Sequence, residues 1–340
     1  MKPRDTRMPN NGWIEATVTR PALALLLAIA AGCAAVTPAR DPAARLPEMQ
    51  QVLREARSTA AGIQDEKFKG LVLSVITMWQ VKAGDVRGAL ETAATIERAS
   101  DKASALREIA AAQAKAGDRA GALANLQRAL ETAATIEDVS SKAPILRGIA
   151  AAQANVGDRS GAGHTFQQAR QAAITIEDAS YKAQALYKIA AAQAKAGHVR
   201  SARLTRLQAL QAAAAIEDAS KKAAALREIA AAQAGTGDFK EAGQTFDRAL
   251  EAATAIPITK DRFMMGDLEK PIAVALIAAD RTKAGDVQGA LAWAAALSED
   301  PVAKASVLVG VAAGVLQPMR RLGEKYMSAE KRLLPRWANF

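Results

Sequence analysis

Cysteine occurs once in the 340 residues, as Cys33, so neither an intrachain disulfide nor a cysteine metal cluster can form. Histidine occurs twice, as His164 and His198, and neither stands in a spaced set with carboxylates or the cysteine. The chain carries no G-x-x-x-x-G-K-[ST] loop, no G-x-S-x-G elbow and no H-E-x-x-H pair. No catalytic residue, cofactor or metal is therefore expected. Aromatic residues are scarce, at 4%, so the apolar half of the chain is chiefly alanine. Alanine is the best helix former and lets helices approach closely, which points to an all-α fold. The formal charge is +10, but basic residues are interspersed with acidic ones except at the C-terminus. With no recognition motif beside that charge, nucleic acid is not the expected partner.

Long apolar runs are missing too. The longest, "PALALLLAIAAG" at 21–32, is shorter than the about 20 residues that a spanning helix requires. It follows a polar stretch with Lys2, Arg4, Arg7 and Arg20, the layout of a signal peptide. The run ends in "AAGC" at 30–33, which resembles the lipobox of bacterial lipoproteins. The resemblance implies cleavage before Cys33 and acylation of Cys33 as the first residue of the mature chain. The alternative is a plain cleaved signal peptide. Ala34 after the cysteine is not aspartate, which by the same resemblance favours the outer membrane. The expected organisation is a signal peptide over 1–32 and a lipidated, Pro-containing tether over 33–45. The protein would then be exported, to the periplasmic side of a bacterial envelope.

Internal repetition dominates the remainder of the chain. "IAAAQAKAGD" begins at Ile109, and near-copies begin at Ile149, Ile189 and Ile229. The glycine of the phrase recurs as Gly84, Gly117, Gly157, Gly197, Gly237 and Gly285. An isoleucine stands 21 residues before each of the first five: Ile63, Ile96, Ile136, Ile176 and Ile216. From glycine to the next isoleucine the step is 19 residues after Gly117, Gly157, Gly197 and Gly237, but 12 after Gly84 and from Gly285 to Leu297. A difference of seven is about two helical turns, so both halves of the repeat are helices. In the first half, helix A, Leu106, Ile109, Ala110 and Gln113 fall on one face. Asp138, Asp178 and Asp218 mark helix starts, each four residues before a lysine (Lys142, Lys182, Lys222). Gly117 suits the left-handed end of a helix, and Asp118 the cap of the next, helix B.

These columns resemble the tetratricopeptide repeat over roughly 63–318. Leu106, Ile109 and Ala110 fall on its helix A packing positions, and Ala122 and Ala129 on its helix B small residues. Phe166 with Ala169 and Phe246 with Ala249 fit its aromatic–alanine pair. The chain departs from the family in period, 40 rather than the usual 34. It also places Gln80, Gln113, Gln153, Gln193 and Gln233 where the family has an aromatic. The expected fold is an α-solenoid of antiparallel helix pairs over 46–318, its last helix at 302–316. A basic helix at 319–340 would cap the end or lie on an anionic membrane.

The resemblance further implies that helix A lines a concave groove. Its lining positions map to Ser74, Lys82, Arg107, Lys115, Arg147, Asn155, Tyr187, Lys195, Arg227 and Lys283. This row is mainly basic, which suits an acidic peptide or protein. The acidic residues Glu137, Asp138, Glu177 and Asp178 recur at each junction and read as helix-start charges rather than catalytic pairs. The lysine column Lys69, Lys102, Lys142, Lys182, Lys222 and Lys270 reads as salt pairing at helix starts rather than a phosphate track. The glutamine column allows two readings, a ladder gripping peptide backbone or amides bonded to a neighbouring hairpin. The expected function is non-catalytic, a protein-binding scaffold. A spacer that self-associates through its ends is the structural rival.

Overall fold

The computed structural model describes residues 46–257 and 269–316. The expected signal peptide, Cys33, the tether and the basic tail lie outside the described residues. Contacts separate Met1–Val52 from Leu53–Phe340, with the boundary inside the first helix. Of the smaller unit, residues 46–52 are described, and they are helical.

Among the described residues there are fourteen helices and no strand. Helix α1 spans Leu46–Ala60. Five hairpins follow: α2 (Glu66–Lys82) with α3 (Val86–Ala94), α4 (Ala99–Lys115) with α5 (Arg119–Ala134), α6 (Val139–Asn155) with α7 (Arg159–Ile174), α8 (Ala179–Lys195) with α9 (Val199–Ala214), and α10 (Ala219–Gly235) with α11 (Phe239–Thr254). A sixth joins α12 (Glu269–Lys283) to α13 (Val287–Ala296), and α14 (Pro301–Leu316) packs on both. Each A helix from α2 to α10 packs against its own B helix and the next A helix, and each B helix from α3 to α11 against the next A helix. The fold is an all-α helical-repeat solenoid.

The two step lengths in the sequence become two helix lengths. All five A helices from α2 to α10 have 17 residues. Helix B has 16 residues in α5, α7, α9 and α11 but 9 in α3 and 10 in α13. The isoleucine that opens each step sits just past the end of helix B. Ile96, Ile136, Ile176, Ile216 and Ile256 are all buried there, plugging the space before the next A helix. Ile109, Ile149, Ile189 and Ile229 fill the centre of each hairpin at 0–1% exposure. Burying each such side chain is worth about 1.5–3 kcal/mol. Alanines at no exposure, such as Ala122, Ala129 and Ala133, let helix B lie close on that row.

Every hairpin turns the same way. Gly117 has φ +85°, its N–H bonds the Ala114 carbonyl at 3.1 Å, and the Asp118 N–H bonds the Gln113 carbonyl at 2.9 Å. This closes the A helix with a Schellman motif, which a Cβ at the left-handed position would strain. Asp118 then caps α5 by accepting from the Gly121 N–H at 2.8 Å. The same Asp-x-x-Gly capping joins Asp85 to Gly88, Asp158 to Gly161 and Asp286 to Gly289. Glycine is needed here because a Cβ at any of these four sites would meet the capping carboxylate. Where Ser201 or Glu241 replaces it, after His198 and Asp238, no side-chain cap forms.

The lysine column behaves differently from expectation. Asp138, Asp178 and Asp218 do cap the A helices, but their carboxylates accept backbone N–H groups of the first turn. Lys102 and Lys142 instead donate to the Ala94 and Ala134 carbonyls, at 3.1 and 2.8 Å, closing the preceding B helix. A cation at a helix C-terminus satisfies orphan carbonyls and the helix dipole together. Lys69 and Lys270 do form ion pairs, to Glu66 and Glu97 and to Asp300.

Candidate partner-binding surface

The ten residues of the expected groove separate into two environments. Lys82, Lys115, Asn155, Lys195 and Lys283 stand at the ends of A helices, beside the turns. Lys82 lies over the Trp79 ring at 4.5 Å, and Lys283 pairs with Asp280 at 3.1 Å. Ser74, Arg107, Arg147, Tyr187 and Arg227 hold one register position on α2, α4, α6, α8 and α10, and all are half-buried. The Ser74 hydroxyl donates to the Gly70 carbonyl at 2.8 Å, which ties it to its own helix.

The other four form a graded series. Arg107 pairs with Glu108 at 2.6 Å, and Arg227 reaches Asp280 at 3.7 Å. Tyr187 donates its hydroxyl to Glu228; burial first, and then that bond, raise its pKa, so it stays a neutral donor. Arg147 has no such partner among the described residues. The residue after it is Gly148, where the sister positions carry Glu108 and Glu228. Arg107 lies across that glycine, since a Cβ there would sit 3.2 Å from its Cδ and Nε. Burial, and after it the Arg107 charge, lower the Arg147 pKa, and its Nε is buried without a hydrogen-bond partner among the described residues. A half-buried guanidinium keeps its charge and favours an anion beside it.

The glutamines do not line this surface. Gln80, Gln113, Gln153, Gln193 and Gln233 are 1–7% exposed, inside their hairpins. Gln113 donates to Asp118 at 2.7 Å and accepts from Asn125 at 2.6 Å, so one amide joins helix A, the turn and helix B. The expected bond to a neighbouring hairpin is not what Gln113 makes, since both of its partners lie in its own hairpin, and burial removes the peptide-gripping ladder. At the position of Asn125 the other long hairpins carry Thr165, Thr205 and Thr245. Thr205 and Thr245 donate to their own helix at 2.9 Å, leaving the Gln193 and Gln233 Oε1 atoms unbonded among the described residues.

The last hairpin replaces both members of that pair. Arg281 stands in the glutamine register and Trp293 in that of Asn125. Arg281 keeps the turn contact, through Nε to Asp286 at 2.7 Å, and stacks over Trp293 at 4.2 Å. Both side chains also donate to Asp247 of α11, at 2.6 and 3.0 Å. Only comparison of registers across repeats could reveal this exchange.

Among the described residues no three His, Cys, Asp or Glu side chains gather in a metal-holding group. No described helix is long and apolar enough to cross a membrane. No family model and no curated protein matches the chain. Solved structures similar to it include BtubC (BKLC) from P. vanneervenii, at 17% identity and TM-score 0.38, covering 66% of this chain and 98% of that one. Ton1535 from Thermococcus onnurineus NA1 is similar at 18% identity and TM-score 0.36, covering 83% and 94%. Similarity at this level carries no argument about partners or activity.

Proposed function

We propose that the chain is a non-catalytic scaffold that binds an acidic segment of a partner protein, in the manner of a tetratricopeptide-like repeat. The observation that carries this reading is the arginine register Arg107, Arg147 and Arg227 on the A helices, with Arg147 half-buried and unpaired among the described residues. An extended acidic chain crossing the A helices would meet one cation at α4, one at α6 and one at α10, with the Tyr187 hydroxyl between. Repeated, equivalent positions supply a surface rather than one convergent centre, which is why no reaction is assigned. The reading places the protein on the periplasmic side of a bacterial outer membrane, tethered through an acylated Cys33. The apolar run at 21–32 and the "AAGC" at 30–33 support that placement.

Charge reversal tests the surface directly. Replacing Arg107, Arg147 and Arg227 by Glu should abolish capture of a partner from envelope extract while helical circular dichroism stays unchanged. Capture that survives the triple variant would remove the groove. Intact-mass measurement of the membrane fraction tests the anchor, since a mature chain beginning at acylated Cys33 is expected. One observation favours the spacer reading. Helix α14 exposes Val302, Leu308, Val309, Val315 and Leu316, apolar side chains suited to self-association. A concentration-dependent dimer in sedimentation, lost on Val309→Lys, would support it.

A further inference from the structure

Helix α9 breaks the rule that the other long B helices follow. At one register, α5, α7 and α11 bury Leu126, Phe166 and Phe246, each 1% exposed. Helix α9 places Arg206 there, half-buried and ion-paired to Asp238 at the next turn. The positions that carry His164 and Gln167 on α7 become Leu204 and Leu207, which are 50% and 58% exposed. Leucine has moved outward and arginine inward.

Arg206 and Leu207 of this exchange line an open cleft of about 940 Å³ between the α8–α9 hairpin and the α10–α11 hairpin. Its floor is apolar: Ala191, Ala194, Ala202, Ala232 and Leu210. Val199 and Leu207 form one wall. Lys195, Arg203 and Arg248 also line the cleft, without an ion-pair partner among the described residues; of its two carboxylates, Asp238 is paired with Arg206, which leaves Glu241. None of Arg107, Arg147 or Arg227 lines this cleft, so it is distinct from the arginine register, although Lys195, one of the ten expected groove positions, stands in its lining.

We propose that this cleft docks a short acidic amphipathic helix of a partner protein. Its apolar side chains would seat on Leu207, Val199 and the alanine floor, and its carboxylates would pair with Arg203 and Arg248. Charge chooses this occupant over two others. The chain's own segment 317–340 carries six Arg or Lys against two Glu, which repels a basic rim. A second copy meeting the same face would set these arginines against their own images.

The test uses the full chain and three labelled synthetic peptides: one of Leu, Ala and Glu with leucines at helical i, i+3 and i+7, its Lys-for-Glu counterpart, and its Ala-for-Leu counterpart. Fluorescence anisotropy should show the Leu/Glu peptide binding at least about tenfold more tightly than either control. The double variant L204H/L207Q, which copies the surface of α7, should weaken that binding about tenfold, and R203E/R248E should do the same. All four positions are exposed, so circular dichroism and melting should be unchanged. The R107E/R147E/R227E variant should bind within about twofold of the unaltered chain, which separates this cleft from the arginine register. Equal binding of the Glu and Lys peptides, no binding at all, or indifference to L204H/L207Q would overturn the proposal. A dimer that L204H/L207Q returns to monomer would overturn it in favour of a second copy. A photo-crosslinker at position 207 that captures residues 317–340 would overturn it in favour of the chain's own tail.

Discussion

The α6–α7 and α8–α9 hairpins share a backbone and differ in what they show to solvent. Both have A helices of 17 residues and B helices of 16, and their turn glycines have φ +84° and +82°. Leu146 with Ile149, and Leu186 with Ile189, are buried alike. Beyond the turn the two part company. Asp158 caps α7 through Gly161, whereas His198 leaves α9 uncapped and rests its ring edge-on against Phe166 at 5.7 Å. Phe166 becomes Arg206, and two polar positions become leucines. The fold therefore resides in helix A, the turn glycine and the isoleucine plug, and the outer face of helix B is free to be specialised.

The sharpest test of that division is to truncate the same register in both hairpins. Phe166→Ala should destabilise by about 3–5 kcal/mol, through lost burial and the cavity left behind. Arg206→Ala should cost about 1 kcal/mol or less, since it removes an ion pair open to solvent on one side. Urea unfolding of each variant measures both, and equal losses would mean that α9 is held like its neighbours. A smaller contrast lies at the third position of helix B. Gly161→Ala should displace the Asp158 cap and cost about 1 kcal/mol, while Ser201→Ala, with no cap to displace, should change stability by a few tenths at most. The melting temperatures report this directly. The smallest effect concerns acid. Burial works upward on the Asp286 carboxyl, but the Arg281 guanidinium and the Gly289 N–H outweigh it and lower its pKa below 3.8. Its folded form thus binds its proton less readily than the unfolded chain. The stabilisation is complete above the ordinary carboxylate range and is lost as pH falls through the lowered value. Melting followed from about pH 5 to about pH 2 should show an acid-dependent component that Asp286→Asn lacks, small because solvent screens the half-exposed side chain.

Much of the solenoid is legible in the sequence because its determinants are local. A left-handed glycine, an aspartate cap and a 3.6-residue apolar stripe each act within one or two turns of chain. They yield both helices, the seven-residue difference and the last helix at 302–316, which the structure sets at Pro301–Leu316. The lysine spacing misleads because Lys142 has two partners at helical reach, and nothing in that spacing says that Asp138 is already occupied by amides. Gln113 is ambiguous since its partner Asn125 lies on the opposite helix of the hairpin. At the candidate surface, register alone identifies Arg107, Arg147 and Arg227. The carboxylates of Glu108 and Asp280, and the glycine at 148 where Arg147 would find one, separate a neutralised arginine from an open one, and Asp280 lies 53 residues from Arg227. The cleft beside α9 has no sequence signal, because it depends on the gap between two hairpins.

That hairpins touch chiefly their successors has a mechanical consequence. Most contacts join residues no farther apart than about one repeat, so folding can start in any hairpin and spread along the chain without closing long loops. Opening proceeds in the same units. The wide cleft leaves the α8–α9 and α10–α11 hairpins joined through A-helix packing, the α9–α10 contact and the Arg206–Asp238 pair. Under tension the solenoid should unzip there first, and a helix seated in that cleft would act as a splint.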